Sequence, residues 1–117
     1  MSSCSANGSS DICGNFRLPC NSGLIDIFNI VGNKKKATGS ITIFFDTGCS
    51  DHLQIVIEDS KSCQLVFTVN EGSTRTLVVD DFVKIQLSCP HCSNLKPCVG
   101  KYCLDYKLKA IKKEYYY

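Results

Sequence analysis

The stretch "GSITIFFDTGCSDHLQIVIEDSKSCQLVFTV", residues 39–69, alternates apolar and polar positions in three successive runs. Ile41, Ile43 and Phe45 fall on one face of the first run, Leu53, Ile55 and Ile57 on one face of the second, and Leu65, Phe67 and Val69 on one face of the third. β-branched and aromatic residues dominate, as a pleated and half-buried surface prefers. The segments between them, "DTGCSD" and "EDSKS", are turn-forming. Three strands joined by short turns are therefore expected here.

The same period continues outward. "VKIQL" (83–87) places Val83, Ile85 and Leu87 together, and further strands are expected in "NFRLPC" (15–20), "LIDIFNI" (24–30), "TRTLVV" (74–79) and "YCLDYKLKAI" (102–111). In the last of these, Leu104, Tyr106, Leu108 and Ala110 suit a core, whereas Cys103, Asp105, Lys107 and Lys109 suit solvent. No segment has a convincing helical period. About eight strands at short, regular spacing indicate an all-β sandwich or barrel, and eight strands in two sheets suit a jelly roll. A polar, flexible N-terminal stretch precedes these strands, and a tail ending in three tyrosines follows them.

A chain of 117 residues makes one domain. Thirteen basic and eleven acidic side chains are interspersed and leave a net charge of +2. No nucleic-acid partner is expected, and Lys34-Lys35-Lys36 is read as a solvated loop. No apolar run approaches the roughly 20 residues that span a bilayer, so no membrane partner is expected either. The opening "MSSCSANGSS" has neither the basic start nor the apolar run of a secretory signal.

Nine cysteines are the usage of an oxidised extracellular protein, and an odd number cannot close entirely into pairs within one chain. "CPHCSNLKPCVGKYC" (89–103) concentrates four of them. Cys89, Cys92, Cys98 and Cys103, with His91 beside them, would give zinc four tetrahedral ligands. Structural zinc sites usually pair two short knuckles, however, and only Cys89 and Cys92 have that spacing. A small thiol-rich module holding zinc in this loop stands as the alternative reading. "CPHC" has the form of a thiol–disulfide exchange motif but follows a strand and lacks the helix N-terminus that lowers a thiol pKa.

Cys49 and Cys63 bracket a strand of more than 20 Å by the rise of about 3.3 Å per residue, too far to pair with each other. Alternating connections put Cys49 at the end of the sandwich that carries the 89–103 loop, where a bridge to that loop is plausible. Cys63 then lies at the opposite end, expected as a half-buried small hydrophobe. His52 with Cys49 makes a catalytic pair only on paper; Asp80 and Asp81 close a turn. No enzymatic activity, cofactor or metal is expected.

"GSITIFFDTG", "EGSTRTLVVDDFVKIQL" and the closing "YCLDYKL" occur in the order and spacing that resemble the core subunits of bacterial endospore appendages, over roughly residues 12–111. The resemblance implies a flexible N-terminal connector (1–15), a jelly-roll core (16–111) and a C-terminal tail (112–117), in a subunit that assembles with copies of itself by β-augmentation and inter-subunit disulfides into a pilus-like fibre on the spore surface. A spore-surface anchor and a tip protein are further candidate partners. It implies synthesis in the mother cell without a signal peptide, followed by oxidation. Carried over by position, the connector pair is Ile12-Cys13 and its targets in another subunit are Cys20 and Cys103, with Cys4 as a further candidate. Subunits of helically wound fibres often carry two adjacent connector cysteines. Here Gly14 follows Cys13, and Cys4 lies nine residues upstream, which leans toward the ladder-like type built of stacked rings. Cys49, Cys89, Cys92 and Cys98 are then candidates for disulfides within the subunit.

Overall fold

The computed structural model describes residues 9–32, 34–90 and 96–111. Among them lie eight strands: β1 (Ser9–Leu18), β2 (Gly23–Asn29), β3 (Lys35–Thr47), β4 (His52–Glu58), β5 (Gln64–Asn70), β6 (Ser73–Phe82), β7 (Lys84–Cys89) and β8 (Cys98–Ala110). They form two four-stranded sheets, ordered β1-β8-β3-β6 and β2-β7-β4-β5. Every pairing is antiparallel. The molecule is an all-β sandwich.

The period-two reading holds best in the central strands. Ile41, Ile43 and Phe45 of β3 and Leu53 and Ile55 of β4 are fully buried, and Ile57 nearly so. Ile85 and Leu87 of β7 and Leu104 of β8 complete this layer between the sheets. Burying each such side chain is worth about 1.5–3 kcal/mol, so this apolar layer is the main source of stability. The parity weakens at the margins. Leu65, on the apolar face of edge strand β5, is 53% exposed, and Leu108 near the end of β8 is 44% exposed. Parity sets the side a residue faces, not whether the opposing sheet extends over it.

The N-terminal boundary also differs from expectation. β1 begins at Ser9, so the stretch expected to be connector through residue 15 is strand from Ser9 onward. Ile12, Gly14, Phe16 and Leu18 share one parity, and Phe16 and Leu18 are buried. Gly14 is not a flexible link here. A Cβ at that position would lie 2.8 Å from the Tyr102 hydroxyl, because the tyrosine ring of β8 occupies the space the missing side chain leaves. Residues 1–8 and 112–117, including Cys4 and the tyrosine tail, lie outside the described residues.

Candidate functional site

Alternating strand directions carry the β1–β2 turn, the β3–β4 loop, the end of β7 and the start of β8 to one end of the sandwich. Each of these contributes a cysteine. Cys20 is bonded to Cys49 with Cα atoms 6.0 Å apart. Cys89 is bonded to Cys98 with Cα atoms 6.2 Å apart. The two bridges touch, since Cys49 Sγ lies 3.3 Å from Cys89 Sγ. Cys89 and Cys98 are fully buried and Cys49 is 7% exposed, whereas Cys20 is half-buried. Gly48 permits this packing: a Cβ there would lie 2.6 Å from both Cys98 Cα and Cys98 Sγ.

A third bridge is of a different kind. Cys13 of β1 stands directly opposite Cys103 of β8, with Cα atoms 4.1 Å apart, and the two are bonded. Both residues are exposed on the outward face of their sheet. Thr42 of β3 is the next residue in this row and Thr76 of β6 the last, with 3.1 Å between the two hydroxyl oxygens. The row thus crosses all four strands, from one open edge to the other.

Within the single chain, most of the expected site cysteines are bonded to one another. Cys13 and Cys103, expected to bond to another subunit, are bonded to each other within the chain. Cys20, expected likewise to bond outside, is bonded to Cys49. Cys49 does reach Cys89 at the head of the 89–103 loop, as alternating connections require, but touches it without being bonded to it. A zinc site combining Cys89, Cys98 and Cys103 is excluded by strand parity. Cys98 faces the core and Cys103 faces solvent, five residues or about 16 Å farther along the same strand. His91 and Cys92 lie outside the described residues.

Cys63 is unbonded, and it lies at the opposite end of the molecule as its strand position demands. It is exposed rather than half-buried. The β4–β5 turn turns it outward: Ser62 adopts φ 67°, and the Asp59 carboxylate accepts hydrogen bonds from the backbone N–H groups of Lys61 and Cys63. His52 hydrogen-bonds the Asp51 carboxylate at 2.7 Å. Cys49 has no thiol to offer it, being held in a bridge.

Beside the cysteine cluster, the Glu71 carboxylate accepts hydrogen bonds from Gly48 N–H at 3.0 Å and from the Thr47 hydroxyl at 2.9 Å. The Gly48 N–H first, then the Thr47 hydroxyl, hold its carboxyl below the usual range. At the other end Asp81 accepts from the backbone N–H and hydroxyl of Ser60, at 3.0 and 2.6 Å, and so ties the β4–β5 turn to β6.

Among the described residues, the open edges are β1 and β6 in one sheet and β2 and β5 in the other. These edges carry apolar side chains into solvent: Val78 of β6 is 81% exposed, Val66 of β5 55% and Leu24 of β2 48%. Open edges with apolar side chains invite pairing with another chain. Sequence periodicity had not located the Cys13–Cys103 contact. The signal was the shared parity of Ile12, Phe16 and Leu18, which Gly14 interrupts.

Fold and cysteines together define a class: a disulfide-stapled β-sandwich with four open edges. A family model for endospore appendages (Enas) matches residues 5–110, and the chain belongs to that family. A solved structure of Bacillus endospore appendages, described as a novel family of disulfide-linked pili, shares the fold with a TM-score of 0.64 at 17% sequence identity. The match covers 96% of this chain and 99% of that chain. No curated protein matches the chain.

Proposed function

We propose that this chain is a structural, non-enzymatic subunit that assembles with copies of itself into a pilus-like fibre on the spore surface. Neighbours join laterally by β-augmentation at the open edges, and disulfides between subunits join successive layers, arranged as stacked rings. Membership of the appendage family supports this reading, as does the likeness to Bacillus appendages described as disulfide-linked pili. The strand pairings suit it too. β1 pairs with β8, β2 with β7, β3 with β6 and β4 with β5, and these pairings support reading the subunit as a jelly roll.

The observation that carries the covalent part is the position of Cys13. It lies on an edge strand, opposite Cys103, on the open face. Geometry that closes this bridge within one chain also closes it between chains: a β1 segment supplied by a neighbour in the same register presents its Cys13 to the same Cys103. Such strand addition uses main-chain hydrogen bonds of about 0.5–1.5 kcal/mol each, and the disulfide makes the exchange permanent.

Fibres grown from an equal mixture of isotopically light and heavy subunits test this reading. Mass spectrometry of non-reduced peptides should find light–heavy hybrids joining Cys13 to Cys103 or Cys20. Fibres whose Cys13 peptides are wholly light or wholly heavy would refute the inter-subunit bond.

A further inference from the structure

The four cysteines at one end of the sandwich have a second capacity once they are reduced. Their sulfurs come from four separate elements, the β1–β2 turn, the β3–β4 loop, β7 and β8, yet gather at one end of the sandwich. Cys20, Cys49 and Cys89 have Sγ atoms all within 4.8 Å of one another, and Cys98 is bonded to Cys89. A zinc ion bound to four thiolates at about 2.3 Å sets its sulfurs about 3.8 Å apart. The Cys49–Cys89 distance of 3.3 Å is already close to that edge. Opening the two bridges lets the bonded pairs relax apart to the same separation with little backbone movement.

We propose that in the reduced chain Cys20, Cys49, Cys89 and Cys98 form a tetrathiolate site for a zinc-like divalent ion. This differs from a site within the 89–103 loop, since two ligands come from distant turns and Cys103 is excluded by its outward face. Burial favours the ion. Four reduced sulfurs, two of them fully buried, would otherwise sit in an apolar cluster as ordinary thiols free to pair in three ways. Half-buried Cys20 gives the entry path, through a groove lined by Arg17, Pro19 and Pro97.

Oxidation empties the site. Two equivalents of a small disulfide such as oxidised glutathione convert four bound thiolates into two protein disulfides, releasing four glutathione thiolates and the metal ion. The two bridges of the oxidised chain are Cys20–Cys49 and Cys89–Cys98. The inference does not depend on fibre assembly, because every ligand lies in one subunit.

The test uses the full chain reduced with a phosphine, loaded with zinc chloride and desalted. About one zinc per chain is expected. Alkylation followed by peptide mass spectrometry should find Cys20, Cys49, Cys89 and Cys98 protected by zinc, and Cys13, Cys63 and Cys103 modified with or without it. This arm uses the unsubstituted protein, so misfolding of a variant cannot obscure it. Cys20→Ser and Cys49→Ser should each weaken zinc binding by more than the roughly 10–100-fold that loss of an outer partner costs. Cys103→Ser should leave binding unchanged. A reduced chain that retains no zinc, or protection that includes Cys103 and omits Cys20 or Cys49, overturns the proposal.

Discussion

Replacing both Cys13 and Cys103 with serine should destabilise the isolated, oxidised subunit more than its exposed location suggests. The bridge closes a sequence separation of 90 residues, against 29 for Cys20–Cys49 and 9 for Cys89–Cys98. On the chain-entropy account these loops restrict the unfolded state by about 4.6, 3.6 and 2.6 kcal/mol respectively. Serine at two exposed positions leaves no cavity and no buried hydroxyl, so the double variant reports the loop contribution nearly alone. A loss of about 4–5 kcal/mol is a large share of the 5–15 kcal/mol that holds most domains folded. Urea titration of monomeric protein, followed by circular dichroism, measures it. The unfolding slope should steepen as well, because the unfolded chain of the variant expands further. A loss under about 1 kcal/mol with an unchanged slope would refute the reasoning, and would mean that the bridge is not closed in the free subunit.

Gly48→Ala forces a methyl against Cys98 and should cost about 1–3 kcal/mol as overpacking, read as a lower Tm. Asp81→Ala frees the Ser60 N–H and hydroxyl and should cost about 1–3 kcal/mol, with faster amide exchange in the β4–β5 turn. Glu71 has a lowered folded pKa, so its contribution is present above the unfolded carboxyl pKa and is lost as pH falls through the folded one; Glu71→Gln should flatten that acid limb in a stability–pH titration. Successive N–H groups of β6 alternate between β3 and the open edge, so proline at Leu77 and at Val78 should behave differently. One variant should fold normally yet fail to form fibres in electron micrographs, while the other loses a β3 ladder bond and melts lower; normal fibres from both would remove β6 as an interface.

How far the sequence reached depends on which forces were local. Ile41, Ile43, Phe45, Leu53, Ile55 and Ile57 declare their face because strand side chains alternate, and a buried face tolerates no slip of one residue. The end of the molecule at which Cys49 and Cys63 lie also follows from counting reversals of direction. Partner identity did not follow. Cys20 meets Cys49 only because β1 and β3 flank β8 in one sheet, an arrangement set by long-range packing rather than by the residues between them. The first half of β1 was hidden for a physical reason of its own. The core-facing side chain missing at Gly14 is supplied from across the ladder by Tyr102, so half of its pattern is written 88 positions away.

The place of Cys13 within β1 governs how the subunit responds to tension. A pull transmitted through Ser9 peels β1 from β8 one ladder bond at a time, and unzipping of this kind resists only weakly. Four residues from Ser9 to Ile12 can come free, about 13 Å of slack, before the pull meets the bond to Cys103. There the force leaves the edge strand and passes into β8, an inner strand gripped on both sides by β1 and β3. Ladder pairs from Gly14 to Leu18, with buried Phe16 and Leu18, lie behind that anchor and bear none of the load. The strand is built as a short compliant lead spliced to a stiff body, so that stretching is confined to a few residues and the core beneath keeps its shape.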